Sequence, residues 1–398
     1  MGLGLMLSRL VYYGKCQTKR PTSQWWQVKR PDNSLAWISG TLIEQLGPVD
    51  EVSLVTGIPT PARRASGFVY GLHANLYQSL DRTVAATKDV GFGWLALQVA
   101  WADVERAQGS IDWGYLDGII GSASTSGLKF MLIVTKAPAW ARPAGAPPSD
   151  GPPEDMNAYA SFVGQLAARY CGKVGAIQVW QDPNLTFNWG GQPPDAAQYM
   201  AMLKLAYQAI KGNCPGTIVI SGAPMPTGGG LPVAVDDVTY LDQMFRNGLS
   251  SACDAVGARL LGYNNPPDAR LGYSDPAEPD YKGFRSFFFR DTLEAYRQVM
   301  TANGDGKKPI WVTEFGWPTG VTAEPYYDYT ADNTPEEQTA YTVRAYEIGR
   351  ESGYIGAMFL WNLNWSTTAP ESSMALWSIV SKDWEPTATY TALKNMPK

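Results

Sequence analysis

Pro309-Ile310-Trp311-Val312-Thr313-Glu314-Phe315-Gly316-Trp317 reads as a buried apolar strand that ends in an acid and opens into a loop. A second stretch of the same build, Ala176-Ile177-Gln178-Val179-Trp180-Gln181-Asp182-Pro183-Asn184, lies about 130 residues earlier. Short apolar runs that end in polar residues are the mark of strands buried on both faces, as in a parallel sheet. Working outward from these two, six more such runs are found: Phe68–His73, Trp94–Val99, Lys129–Val134, Thr217–Ser221, Asp254–Arg259 and Ala357–Trp361. Helical periodicity fills the gaps at Met156–Tyr170, Ala196–Lys211, Phe287–Ala302 and Pro335–Ser352. Tyr159, Phe162, Val163 and Leu166 share one face of the first of these. Strand and helix alternating from Gly67 onward predict an α/β fold, a (β/α)8 TIM barrel over residues 67–398. A doubly wound sheet competes, but no Gly-rich phosphate loop follows the first strand.

Upstream, residues 1–47 read as a small all-β unit. Strand patterns at Arg9–Tyr13, Trp25–Val28 and Leu35–Ile38 flank the turn signal Arg30-Pro31-Asp32-Asn33. The run Trp25-Trp26-Gln27-Val28, then Leu35-Ala36-Trp37-Ile38-Ser39-Gly40, resembles the second half of a bacterial SH3 domain. The first half of that pattern is missing, so the segment is a partial one. The resemblance implies attachment to a cell envelope or polysaccharide, or a simple tether. Residues 48–66, with Ile58-Pro59-Thr60-Pro61, read as an extended linker.

Bulk properties narrow the function. The 398-residue chain is 45% hydrophobic and carries a net charge of −5, which gives no reason to expect nucleic acid as a partner. Aromatic residues reach 12%, a composition suited to stacking on the apolar faces of sugar rings, though large barrels also bury many aromatics. With His73 the single histidine and no CxxC, a structural zinc site is not expected. Cys171 and Cys214 each end a predicted helix just before a strand, and so could pair or remain two buried thiols. Met1–Tyr13 lacks the layout of an export signal, and no apolar run reaches the length of a membrane span.

The two acids carry the chemistry. In a barrel with strands in this order, Asp182 ends the fourth and Glu314 the seventh, which puts both at the C-terminal mouth. Two carboxylates flanking one pocket can cleave a glycosidic bond, one as nucleophile and the other as acid and then base. Asp182 before Pro183 also suits a helix N-cap, whereas Glu314 between Trp311 and Trp317 does not.

Four segments carry a family resemblance that covers most of the chain from Ser66 to Lys398. They are Trp101-Ala102-Asp103-Val104-Glu105 with Gly109-Ser110-Ile111-Asp112-Trp113; Val179-Trp180-Gln181-Asp182-Pro183-Asn184; Trp311 to Trp317; and Phe359-Leu360-Trp361-Asn362. In order and spacing they resemble the clan A glycoside hydrolases, nearest to families 39 and 5. The resemblance implies a retaining hydrolase of β-linked poly- or oligosaccharide that needs no cofactor or metal. It implies Glu314 as nucleophile, Asp182 as acid/base and Trp361 beneath the sugar. Gln181 and Trp180 would contact substrate, and Gln98 takes the place of the arginine that relatives carry on the second strand. Arg259 could supply that charge from another direction, or simply sit in a surface salt bridge. Weaker substrate-binding candidates are His73, Lys136, Trp101, Tyr263 and Trp317. Tyr326, Tyr327 and Tyr329 could line a groove, and Phe287-Phe288-Phe289 reads as helix packing.

Where the family has Asn-Glu, this chain has Gln181-Asp182. Both side-chain lengths are exchanged, which displaces each group by about 1 Å and is expected to cost on the order of 100-fold in rate. The shorter acid also widens the carboxylate gap toward roughly 6.5 Å, where inverting enzymes begin. Two other functions therefore stay open: a carbohydrate-binding pseudoglycosidase, and an envelope-attached scaffold. The expected location is extracellular or envelope-associated, with the cytoplasm as the alternative.

Overall fold

The computed structural model describes residues 11–17, 24–29, 35–39, 67–147 and 150–398. The chain divides into two compact units, residues 1–63 and 64–398. The first holds an antiparallel sheet of three strands in sequential order: β1 (Val11–Gln17), β2 (Gln24–Lys29) and β3 (Leu35–Ser39). The expected first strand thus lies a few residues further on. The turn at 30–33 and the linker at 48–66 fall outside the described residues.

In the second unit, all eight predicted strands form. They are β4 (Val69–His73), β5 (Trp94–Ala100), β6 (Lys129–Thr135), β7 (Val174–Val179), β8 (Ile218–Ser221), β9 (Val256–Leu261), β10 (Ile310–Gly316) and β11 (Ile355–Leu360). Every pairing among them is parallel, in the order β8-β7-β6-β5-β4-β11-β10-β9. A single parallel bridge, Ile220 to Ala255, joins β8 toward β9 and nearly closes the barrel. The predicted helices form as Met156–Arg169, Ala196–Asn213, Phe289–Ala302 and Pro335–Ser352. Local chemistry fixes their ends. Asp155 and Asp195 cap the first two through backbone amides. Thr334 and Glu337 form a reciprocal capping box at the last, which Gly353 closes in a left-handed conformation.

Strand alternation sorts the side chains into two layers. Ala96, Met131, Ile133, Ala176, Ile220, Trp311, Ala357 and Phe359 fill the barrel interior. Leu95, Leu132, Ile177, Val219, Val312 and Met358 face the helices. Gly257 points inward where a Cβ would strike the Ser221 carbonyl. On the outside, Cys171 and Cys214 form a disulfide, which settles the choice the sequence left open.

Candidate active site

The same alternation carries inward-facing residues of four strands up to the C-terminal mouth. His73 on β4, Gln98 on β5, Ile133 on β6 and Arg259 with Leu261 on β9 follow it without interruption. Glu314 does not. Trp311 points in and Val312 out, so strict alternation would turn Glu314 out toward the helices. The register of β10 slips between Val312 and Glu314 against β9, and between Val312 and Phe315 against β11. This irregularity shifts the parity. Phe315 packs outward in the main core, and Glu314 enters the cavity. A comparable shift follows β7. Trp180 adopts φ 68°, which sends its indole into the helix layer and Gln181 into the cavity.

The resulting cavity has a volume of about 180 Å3. Its floor and sides are His73, Gln98, Ile133, Gln181, Arg259, Glu314 and Trp361, and Gln98 Nε2 donates to Gln181 Oε1 at 3.0 Å. Tyr327, Tyr329, Met225, Leu261, Met374 and Trp377 close it from the loops and the end of β9. Trp361 lies against His73 at 5.1 Å and Trp365 at 4.6 Å between ring centroids. Of the tyrosines after β10, Tyr327 and Tyr329 reach the cavity, whereas Tyr326 is exposed.

Arg259 organises the charge. Directly beside Glu314 in the strand register, it donates through one terminal nitrogen to Glu314. Through the other it donates to Asp182 Oδ2 at 2.6 Å. A single guanidinium thus ties together two carboxylates that are remote in sequence, which holds their bonded oxygens within roughly 7 Å of each other. Both acids are buried, Asp182 at 5% and Glu314 at 6% exposure. They are not equivalent. Glu314 lines the cavity; Asp182 sits behind Arg259, off the cavity wall, with Oδ1 buried and unbonded. Burial raises the Asp182 carboxyl above its usual range, and the attraction of Arg259 only partly offsets this. The Arg259 guanidinium is held even more firmly protonated than usual, because its two anionic partners outweigh its burial. His73 is pushed down to about 4, mainly by burial, and its Nε2 donates to the Thr313 carbonyl at 2.6 Å.

Several sequence candidates do not line this cavity. Trp101 is fully buried against Phe162, and its indole donates to Glu105 at 2.7 Å. Glu105 also accepts from the Gly109 amide, so the acidic turn of the second-strand motif braces a loop. Trp180 donates to the Asn188 carbonyl and Trp317 to the Asn265 carbonyl, both from within the core. Tyr263 stacks on Tyr281 and donates to the Pro226 carbonyl, one layer behind the wall. Lys136 is a half-exposed residue 3.6 Å from Asp150. The expected substrate contacts Trp101, Trp180, Trp317, Tyr263 and Lys136 are thus corrected: none lines the cavity, and the four aromatics pack behind it. Phe287 supports the same wall by packing on Tyr263, while Phe288 and Phe289 are buried. Arg259 is the group the sequence weighed too lightly. Strict alternation along β9 was its signal.

No family model matches the chain, and no curated protein matches it in sequence. Solved structures do. A family 39 glycoside hydrolase from Bacteroides cellulosilyticus WH2 aligns with TM-score 0.65 at 19% identity, over 94% of this chain and 69% of that one. A glucosidase from Croceicoccus marinus aligns with TM-score 0.59 at 12% identity, over 84% and 68%. Xylanase 10B from Thermotoga petrophila RKU-1, solved with xylobiose, gives TM-score 0.55 at 12% identity, over 83% and 94%. At these identities the likeness shows the fold: this chain shares its (β/α)8 barrel with glycoside hydrolases of several families.

Proposed function

We propose that this protein is a glycoside hydrolase that cleaves a β-linked glycoside by the two-carboxylate retaining route. The observation that carries the reading is the meeting of Glu314 and Asp182 on Arg259 at the C-terminal mouth of the barrel. Glu314, the acid on the cavity wall, is the nucleophile. Its carboxylate oxygen bonds to the anomeric carbon as the bond to the leaving oxygen breaks. Asp182, whose carboxyl is raised above its usual range by burial, gives that oxygen its proton. In the second step Asp182 takes a proton from water, the water oxygen bonds to the anomeric carbon, and the bond to Glu314 breaks. Trp361 supplies the apolar floor, and the linked Gln98 and Gln181 amides offer hydrogen bonds to hydroxyls. The position of Asp182 behind Arg259 is consistent with slow turnover.

A second reading is favoured by that same position: a sugar-binding barrel with little or no hydrolysis. Hydrolysis of a panel of aryl β-glycosides by the parent, Glu314→Gln and Asp182→Asn separates the two. Release of phenol that is lost in Glu314→Gln supports the enzyme. Binding without release supports the binding barrel, and neither binding nor release defeats both.

On location, the Cys171–Cys214 disulfide supports export to an oxidising compartment. No described helix is long and apolar enough to cross a membrane. The N-terminal unit is proposed to be a partial SH3-like segment, over 1–47 with a linker at 48–66, that holds the barrel near an envelope polysaccharide. Deletion of residues 1–60 should then abolish binding to isolated envelopes.

A further inference from the structure

His73 lines the cavity with one ring nitrogen already committed. Its Nε2 lies 2.6 Å from the Thr313 carbonyl oxygen. A carbonyl oxygen only accepts, so the hydrogen is on Nε2. Burial pushes the ring down to about 4, so at neutral pH it holds one proton, and Nε2 has it. Nδ1 is then a bare lone pair that can accept a hydrogen bond and cannot donate one.

Among the described residues nothing donates to Nδ1; the ring's hydrogen bond is the one to Thr313. Its aromatic neighbours, Trp361 at 5.1 Å and Phe359 at 6.5 Å between centroids, both meet it edge to face. Two polar atoms of this site are sealed in the interior without a partner, Asp182 Oδ1 and Arg259 Nε. Nδ1 is not sealed: His73 keeps 3% of its surface open, and it lines the cavity. An acceptor so placed costs free energy unless a donor from outside the fold meets it. The tether also fixes where that donor must be. Thr313 immediately precedes Glu314, and Trp361 lies against the ring, so Nδ1 stands between the nucleophile and the apolar floor. The amides of Gln98 and Gln181 carry both donors and acceptors and can meet a hydroxyl in either sense. The locked imidazole cannot.

We propose that His73 is a specificity-determining residue, which accepts at Nδ1 a hydrogen bond from one hydroxyl of the sugar over Trp361 and so selects substrates that present a donor there. The proposal rests on the reading of the cavity as a sugar site. The test uses full-length protein and methyl 1-thio-β-glycosides of glucose, galactose, mannose and xylose, whose sulfur linkage resists hydrolysis. Each hydroxyl of the sugar that binds best is then replaced in turn by fluorine, which is of similar size but donates nothing. Calorimetry should show a loss of ~10-fold at one position, and His73→Phe should abolish that loss while leaving the others. The chain has a single histidine, so nitrogen-15 NMR of labelled imidazole reads this ring alone. The free protein should show Nε2 protonated and Nδ1 bare. Nδ1 should resonate differently in the complexes with hydroxyl and with fluorine at the sensitive position, and alike for fluorine elsewhere. This measurement needs no substitution and decides the matter if His73→Phe does not fold. A proton on Nδ1, an Nδ1 signal indifferent to every fluorine, or fluorine losses unchanged in His73→Phe would overturn the proposal and leave the sugar site standing. Failure of every glycoside to bind would overturn both.

Discussion

Arg259→Met removes the cation that, among the described residues, touches both central acids, while keeping most of the volume. Side-chain exposures of 12% for Arg259, 7% for Asp182 and 8% for Glu314 mean that all three charges are desolvated. Breaking one buried pair by deleting a partner costs about 3–5 kcal/mol, because the other charge is left uncompensated. Here a single deletion orphans two carboxylates, so the upper part of that range is expected at pH 7.5. The sign with pH follows from Asp182, whose carboxyl is already raised in the intact protein. A raised folded pKa means the folded state binds the proton more tightly. The penalty is therefore present above that pKa and fades as pH falls toward the unfolded value near 4. Urea unfolding of parent and variant at pH 7.5 and pH 4.5 measures it, and the deficit should shrink to ~1–2 kcal/mol at the lower pH. A deficit under about 1 kcal/mol at pH 7.5, or one equal at both pH values, would refute the claim that Arg259 compensates two buried anions.

Three further outcomes follow from the same geometry. Asp182→Glu restores the missing methylene and should speed hydrolysis of aryl glycosides at least ~10-fold; a variant no faster than the parent would show that side-chain length is not what limits turnover. His73, the chain's single histidine, should titrate at about 4 by NMR of its ring protons. Because its folded pKa lies below the unfolded value, its contribution of about 3 kcal/mol is full above pH 6.5 and lost as pH falls toward 4; a measured value between 6 and 7 would contradict its burial. Reduction of the Cys171–Cys214 bridge, which closes a separation of 43 residues, should cost about 2–4 kcal/mol in urea unfolding under matched reducing and oxidising conditions.

Much of this molecule could be read from its residues. Buried strands are short apolar runs between helices of 3.6-residue period, and both signals are local, so β4 to β11 and the four long helices fall within a few residues of expectation. The mouth was legible only in part, because the inward or outward direction of a side chain depends on parity, and parity breaks at the strand ends. The slip in β10 turns Glu314 inward, and the left-handed Trp180 exchanges its place with Gln181. Neither is visible in composition or spacing. Trp180 and Trp317 flank the two acids in sequence, yet both pack in the core behind the cavity, as does Trp101. Arg259 lies on a regular strand, and its inward direction was readable; its two partners were not, because they come from β10 and from the loop after β7.

The most direct test of the central claim is a crystal structure of Glu314→Gln protein soaked with an aryl β-glycoside. The account predicts one sugar ring over Trp361, with the anomeric carbon within about 3.5 Å of the substituted side chain and the leaving oxygen turned toward Asp182. A ring bound anywhere else, or one whose anomeric carbon faces away from position 314, would contradict it.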